Sequence, residues 1–480
     1  MSEKTEKLEF RGSMFLSLIP VAIFFAFCVI LFVIFKAFNM EALAAGGFIA
    51  LLIGGVFCKS YTKYWDAAIS GVSSITSVSV IVIFFVIGMF SALMKESGLS
   101  SGFIWLANSI GMKGGLFTAF IFLATCIVST ATGSSIGTMF IAFPIFHPAG
   151  VALGCNGAIL AGAIVSGAIF GDNLAPISDT TIASSSTQQF NDGRPADVGG
   201  VVKSRLKYSA VAGVIALILF AIFGGGGTMA EAAVLEGANP KSLFMLIPVV
   251  IMLIVATKTR NIFLGIFVGL VLGIITGLSL GLFPFARIFS NDAANNAAVG
   301  FLVEGVANML GTVGLVIAVF GIMGVLTKAG MLDFLVDKIL NSKMAKTPRG
   351  AEIASLIGIS LTTFIFGGVT SASILTFGPV LNKIGHAKHI HPYRRANLLD
   401  GVANSLPAII PFMSVFVFIG AALSGLSPVA VFGGTFYGFT LFLVFLFSVI
   451  TGWGRAYESK DGKIAKEEPD YPVEEIPDVK

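Results

Sequence analysis

Two aspartates stand seven residues apart in GDNLAPISDTTIASSS, residues 171–186, where the surrounding chain is apolar. The stretch before it, VALGCNGAILAGAIVSGAIF, carries no charge at all. A charged side chain at the centre of a bilayer costs about 2.5–3.5 kcal/mol on insertion scales, so Asp172 and Asp179 need a chemical reason. Carboxylate, amide and hydroxyl oxygens make a hard-oxygen shell for a cation. A broken helix adds backbone carbonyls and the ends of two half-helices. Asp172, Asn173, Ser178, Asp179 and Thr180 are therefore candidate ligands for a cation and a proton, with sodium placed at Asp172 and Asp179. Helix capping competes for Asp179, which precedes TTIASSS. Pro176 sets the break.

A second cluster repeats this chemistry. LLDGVANSLP supplies Asp400, Asn404 and Ser405 ahead of Pro407. Two Thr/Ser/Gly-rich turns, TATGSSIGTMFIAFP (130–144) and GGVTSASILTFGP (367–379), each lead through an apolar stretch to a proline. They add Thr132, Ser134 and Ser135, and Thr370, Ser371 and Ser373, as candidate substrate or ion contacts. Small hydroxyl residues also serve helix packing in membranes, and that is the plainer role for any one of them. His386, His389 and His391 in HAKHIH do not have a zinc spacing, and a titrating cluster is the other use of such a run. The four cysteines show no CxxC pair and read as packing residues.

What must position these groups follows from composition. Of 480 residues 56% are hydrophobic and only 12% charged, against about 25% charged in soluble domains. The apolar runs are continuous rather than alternating, which argues against a β-barrel and for an all-α polytopic membrane protein. Segments 114–146, 150–185, 350–382 and 396–424 are longer than the ~20 residues a span needs and carry Gly, Pro or polar residues near their middles. Reading 114–146 and 350–382 as re-entrant hairpins, and the other two as broken spans, leaves about ten full spans. That topology puts 25 of the 30 Lys and Arg on the cytoplasmic side, leaving Lys36, Lys95, Lys113, Lys241 and Arg287 outside. Both termini of the multi-pass protein are then cytoplasmic, and the absence of an organelle-targeting sequence points to a cell inner membrane. The halves 1–227 and 242–454 become inverted repeats, as in many secondary transporters, followed by a charged tail, 455–480, expected to be disordered. The first apolar run is too long for a signal peptide and reads as a retained helix. No GxxxxGK[ST] is present, which argues against an ATP-driven pump. No soluble domain is long enough for an enzyme, and neither a cofactor nor a nucleic-acid partner is implied.

FGDNLAPISDTT (170–181), STATGSSIGT (129–138) and DGVANSLPAIIPF (400–412) resemble the NhaC family of sodium/proton antiporters within the ion transporter superfamily. Asn173 stands where a basic residue often follows the first Asp, and Phe412 where Trp often stands. The resemblance implies two inverted repeats around a central site, with sodium and protons as the transported species and the lipid bilayer as the partner. A homodimer is an admissible assembly. Some members exchange organic acids or amino acids, so sodium-coupled transport of a small organic anion or amino acid is the alternative.

Overall fold

The computed structural model describes residues 7–35, 40–99, 113–227, 239–259, 261–331 and 346–470, with isolated positions 101, 102, 105, 109, 334 and 338. Helices dominate. The first half runs α1 (Ile19–Val29), α2 (Met40–Val56), α3 (Tyr61–Val72), α4 (Ile75–Glu96), α5 (Gly114–Thr132), α6 (Ser135–Ala152), α7 (Gly157–Leu174), α8 (Asp179–Ser186) and α9 (Val198–Phe223). The second runs α10 (Leu246–Thr259), α11 (Ile262–Ser279), α12 (Phe301–Ala307), α13 (Leu310–Lys328), α14 (Pro348–Ile365), α15 (Thr370–His386), α16 (Pro392–Ile409), α17 (Val415–Ser424), α18 (Pro428–Gly433) and α19 (Phe436–Thr451). Two short hairpins complete the described elements, β1 (Ser290–Asp292) with β2 (Ala297–Val299) between α11 and α12, and β3 (Tyr457–Glu458) with β4 (Ile464–Ala465) after α19. Among the described residues seven helical stretches are long and apolar enough to cross a bilayer. Their outward faces are apolar too, with Ile75, Leu116, Ile127, Ile222 and Phe267 exposed. Exposed apolar surface on this scale belongs against lipid. The protein is an all-α polytopic membrane protein.

The hairpin and broken helix recur in both halves. In the first half α5 and α6 meet at a tight turn: Gly133 takes the left-handed φ of 65° and Ser134 caps α6 by accepting from Gly137 N at 3.1 Å. In the second, Gly367 and Gly368 turn α14 into α15 with φ of 57° and 80°. Pro144 and Pro379 each stand nine residues after the first residue of the second arm. The arms are 19, 18, 18 and 17 residues long, about 25–28 Å. They are thus nearly as long as the bilayer is thick.

The two hairpins open at opposite ends. Gly114 N donates to Leu153 O at 3.2 Å and Asn156 N to Gly224 O at 2.9 Å, which places the open end of the first beside the end of α9. The second opens beside the start of α9, where Gln189 N donates to Asn382 Oδ1 at 2.9 Å. The short half-helices are exchanged: α8 packs on α15 and α16, and α17 on α6 and α7.

Both breaks carry a proline. The first follows Leu174, with Ala175 extended. The second follows Ile409: Ile410 is extended, Met413 is left-handed, and Ser414 donates to the freed carbonyl of Pro407 at 2.6 Å while capping α17. Asp172 lies three residues before its break, whereas Asp400 lies ten before, in the middle of α16. The expected match of an aspartate at each break is therefore corrected: only Asp172 sits at one.

Residues 455–470 are also not the loose tail expected. β3 bridges Ile390, His391 N donates to Ala456 O at 2.9 Å, and Glu458 is buried.

Candidate ion-binding site

Asp172 is carried to the interior by close helix packing. Gly167 and Gly171, one turn apart on α7, face α5, and a Cβ on Gly167 would lie 2.7 Å from Phe122 O and Thr125 Cβ. This is the small-xxx-small spacing that lets membrane helices touch backbone to backbone. Ser129 Oγ on α5 donates to Ala168 O at 2.5 Å across that contact. About 22 Å along α7, the Asp172 carboxylate is buried. Ser135, first residue of α6, donates to its Oδ2 at 3.0 Å. Its Oδ1 has no hydrogen-bond partner among the described residues.

Behind it lies a second, tightly paired group. Arg205 of α9 is fully buried and forms an ion pair with Asp400. Its Nη1 also donates to Asn173 O at 2.7 Å and Thr181 Oγ1 at 3.0 Å, and its Nε to Asn397 Oδ1 at 3.2 Å. Asp400 further accepts from Thr181 Oγ1 at 3.4 Å, Ser184 Oγ at 3.3 Å and Asn404 Nδ2. Asn404 Nδ2 reaches Thr180 Oγ1 at 3.3 Å, and Thr180 meets Ser178 at 2.9 Å. Asn404 Oδ1 is a second buried oxygen with no partner among the described residues. The polar core thus carries two carboxylates and one guanidinium, and two acceptor oxygens without donors.

The predicted residues divide accordingly. Asp172, Ser135, Ser178, Thr180, Asp400 and Asn404 come together. Asn173 is there too, but its amide faces away from the carboxylate, donating to Ser209 Oγ at 3.0 Å and Tyr437 OH at 3.3 Å. Asp179 is exposed and, among the described residues, accepts from Thr180 N alone, at 3.0 Å; Ser178 holds the N-cap position. Burial of both aspartates at one ion is thereby corrected. Thr132 and Ser134 stay in the hairpin turn, bonded to Thr138 at 2.9 Å and Gly137 N. Ser405 donates to Val402 O at 2.8 Å within α16, and Ser373 to the carbonyl of Val369, the N-cap of α15, at 3.0 Å. Thr370 is buried and Ser371 half-buried in the first turn of α15, and neither is bonded to the acidic core.

Arg205, Thr181, Ser184 and Tyr437 were not expected in the site. The charge count treated Arg205 as a loop cation beside Lys203 and Lys207. The signal was the stripe Ser209, Ala212, Gly213 and Ala216, which shares the buried face of α9 with Arg205. Arg394 and Arg395, likewise counted as loop charges, are buried; Arg394 Nε donates to Glu352 Oε1 at 2.8 Å and Arg395 Nη1 to Asn382 O at 2.9 Å. The histidines of HAKHIH are buried at this end, with His391 Nδ1 accepting from Tyr393 N at 3.2 Å. Among the described residues no three His, Cys, Asp or Glu side chains are grouped to hold a metal.

Residues 8–224 match the model of the Na+/H+ antiporter family. The Na(+)/H(+) antiporter NhaC of Alkalihalophilus pseudofirmus is 24% identical over 426 residues, covering 84% of this chain and 88% of that protein. This chain is related to the NhaC-type Na+/H+ antiporters. The match to the family model takes in both the first hairpin motif and the Asp172 motif of this chain. It is also similar to the Malate-2H(+)/Na(+)-lactate antiporter of Bacillus subtilis, 28% identical over 383 residues, 76% of this chain and 79% of that one. The Arginine/ornithine antiporter ArcD of Halobacterium salinarum is 28% identical over 242 residues, 47% of this chain and 48% of that one.

Proposed function

We propose that this protein is a secondary active transporter exchanging sodium for protons by alternating access, with both termini on the cytoplasmic side. The observation that carries it is the buried Asp172 carboxylate at the helix break, one oxygen held by Ser135 and the other without a hydrogen-bond partner among the described residues. Asp400 is already neutralised by Arg205, so the core holds one uncompensated negative charge. A bare buried carboxylate is costly. Sodium or a proton relieves that cost, and because both use the same oxygens they compete. Asn404 Oδ1, Ser178 and Thr180 are the nearest additional oxygens for a sodium ion. Movement of one repeat against the other then exposes Asp172 to each side in turn.

The test is sodium-driven pH change in proteoliposomes. Asp172→Asn removes the titrating group and is expected to lose at least about ten-fold in rate, while Asp179→Asn, at an exposed position, stays within about three-fold. Wild-type exchange by Asp172→Asn would remove that carboxylate from the mechanism. The malate/lactate and arginine/ornithine relatives raise a second reading, exchange of an organic solute. The pairing of Arg205 with Asp400 weighs against it, since the cation best placed for a substrate carboxylate is already engaged.

A further inference from the structure

Two neighbouring cavities lie along α9: one between α9, the start of α16 and the β3–β4 segment, the other between α9 and α19. The inner part is a pocket of about 360 Å³ whose lining includes Lys207, Arg394, Arg455 and Lys466 and, among the described residues, no acidic side chain. Glu352 stands behind it and pairs with Arg394 and Arg455, so the lining keeps a surplus of positive charge. Glu467 and Glu468 follow Lys466 without lining the pocket. Arg394 is buried, and its Nη2 has no hydrogen-bond partner among the described residues. The outer part is an apolar groove of about 350 Å³ lined by Val211, Ile215, Leu443, Val444 and Phe447.

The two parts are neighbours along α9. Ser204, Lys207, Val211 and Ile215 follow one another on a single face of α9, the first two in the pocket and the last two in the groove. Trp453 lines the groove and its neighbour Gly454 the pocket. Tyr208 ties them, donating to Gly454 O at 3.0 Å with Trp453 edge-on at 5.1 Å. A half-exposed Trp at this junction is the usual marker of the lipid–water boundary. Basic pockets between membrane helices are suited to anionic headgroups.

We infer that the α9–α19 groove and the basic pocket beside it form one site for an anionic phospholipid, its phosphate among Lys207, Arg394 and Lys466 and an acyl chain along Val211, Ile215 and Phe447. The occupant is a membrane lipid because both halves are needed: a free anion has no use for the groove, and a neutral lipid none for the cations. The floor of the pocket includes Asn397, which accepts from Arg205 at 3.2 Å, so an occupied site also braces the α9–α16 contact behind the acidic core.

The test is native mass spectrometry of the full-length detergent-solubilised protein titrated with dioleoyl-phosphatidylglycerol, with dioleoyl-phosphatidylcholine as the neutral control. One phosphatidylglycerol is expected to be retained in preference to phosphatidylcholine. Lys207→Gln and Lys466→Gln, both at exposed positions, should each weaken it about five-fold and together about 30-fold, at roughly one charge interaction each. Val211→Trp, filling the groove, should weaken it while unchanged melting in detergent confirms folding. Equal retention of the two lipids, or an unchanged preference in the double lysine variant, overturns the site. Displacement by inorganic phosphate at the same concentration as the lipid, or indifference to Val211→Trp, overturns the lipid in favour of a free anion.

Discussion

At the scale of single residues, the polar core separates two carboxylates by what they touch. Asp400 spends its oxygens on Arg205, Asn404, Thr181 and Ser184, whereas Asp172 receives one serine hydroxyl. A buried ion pair contributes little net stability, but losing one partner strands the other at about 3–5 kcal/mol. Arg205→Met or Asp400→Asn alone should therefore lower melting in detergent sharply. The double variant Arg205→Met with Asp400→Leu should melt above the Arg205→Met single. A double variant no more stable than that single would show that Asp400 does not depend on Arg205. Ser135 illustrates what was legible and what was not. Its residue type and place in the hairpin marked it from the sequence, but so did those of Thr370 and Ser373. Only the crossing of α6 with the end of α7 makes one of these hydroxyls a ligand of the acid and leaves the others outside the acidic core.

At the scale of elements, Asp172 is placed by the α5–α7 contact. Gly167 admits Phe122 O and Thr125 Cβ to where a side chain would be, and Gly171 does the same for Ser129 and Cys126. Gly167→Ala must push the helices apart by about half an ångström or more, at an expected cost of about 1–3 kcal/mol. The checkable outcome is a lower melting temperature in detergent together with slower exchange, since the shift moves Asp172 relative to Ser135. Loss of stability with exchange intact would show that the spacing of α5 and α7 does not position the acid. The hairpins, the broken helices and Pro144 and Pro379 were legible because glycine, proline and hydroxyl runs interrupt an otherwise apolar record. The location of the second break was not. Asp400 is the conspicuous polar residue in its stretch, yet the chain bends at Ile410 and Pro411, where Ser414 can supply the missing donor.

At the scale of the whole molecule, the chain from Arg455 closes one end of the bundle. Arg455 Nη2 bonds Glu352 Oε2 at 2.7 Å, and Asn191 N donates to Glu458 Oε1 at 2.7 Å. His391 sits beneath this cap, and burial together with the neighbouring Arg395 pushes its imidazole down to about 4. The sign follows from proton binding. Between pH 6.5 and about 4 the unfolded chain binds the proton that the folded chain refuses, so stability from this group is complete above pH 6.5 and is lost as pH falls toward 4. Melting temperatures of the wild type should therefore decline across that window more steeply than those of His391→Gln. Parallel profiles would show that His391 does not titrate against folding.

The sequence by itself determined the class, the two hairpins, the two broken helices and the aspartate at the first break. These are local properties: hydropathy over about 20 residues, a proline that cannot continue a helix, a charge too costly to bury without use. Tertiary structure alone decided that Arg205 meets Asp400, that Asp179 is exposed while Asp172 is buried, and that Arg394 and Glu352 pair under a folded C-terminal cap. Each depends on which face of a helix another helix covers, and that is a contact between residues far apart in the chain. A charge near the end of an apolar segment reads the same in the sequence whether it faces water or a partner; packing alone tells them apart.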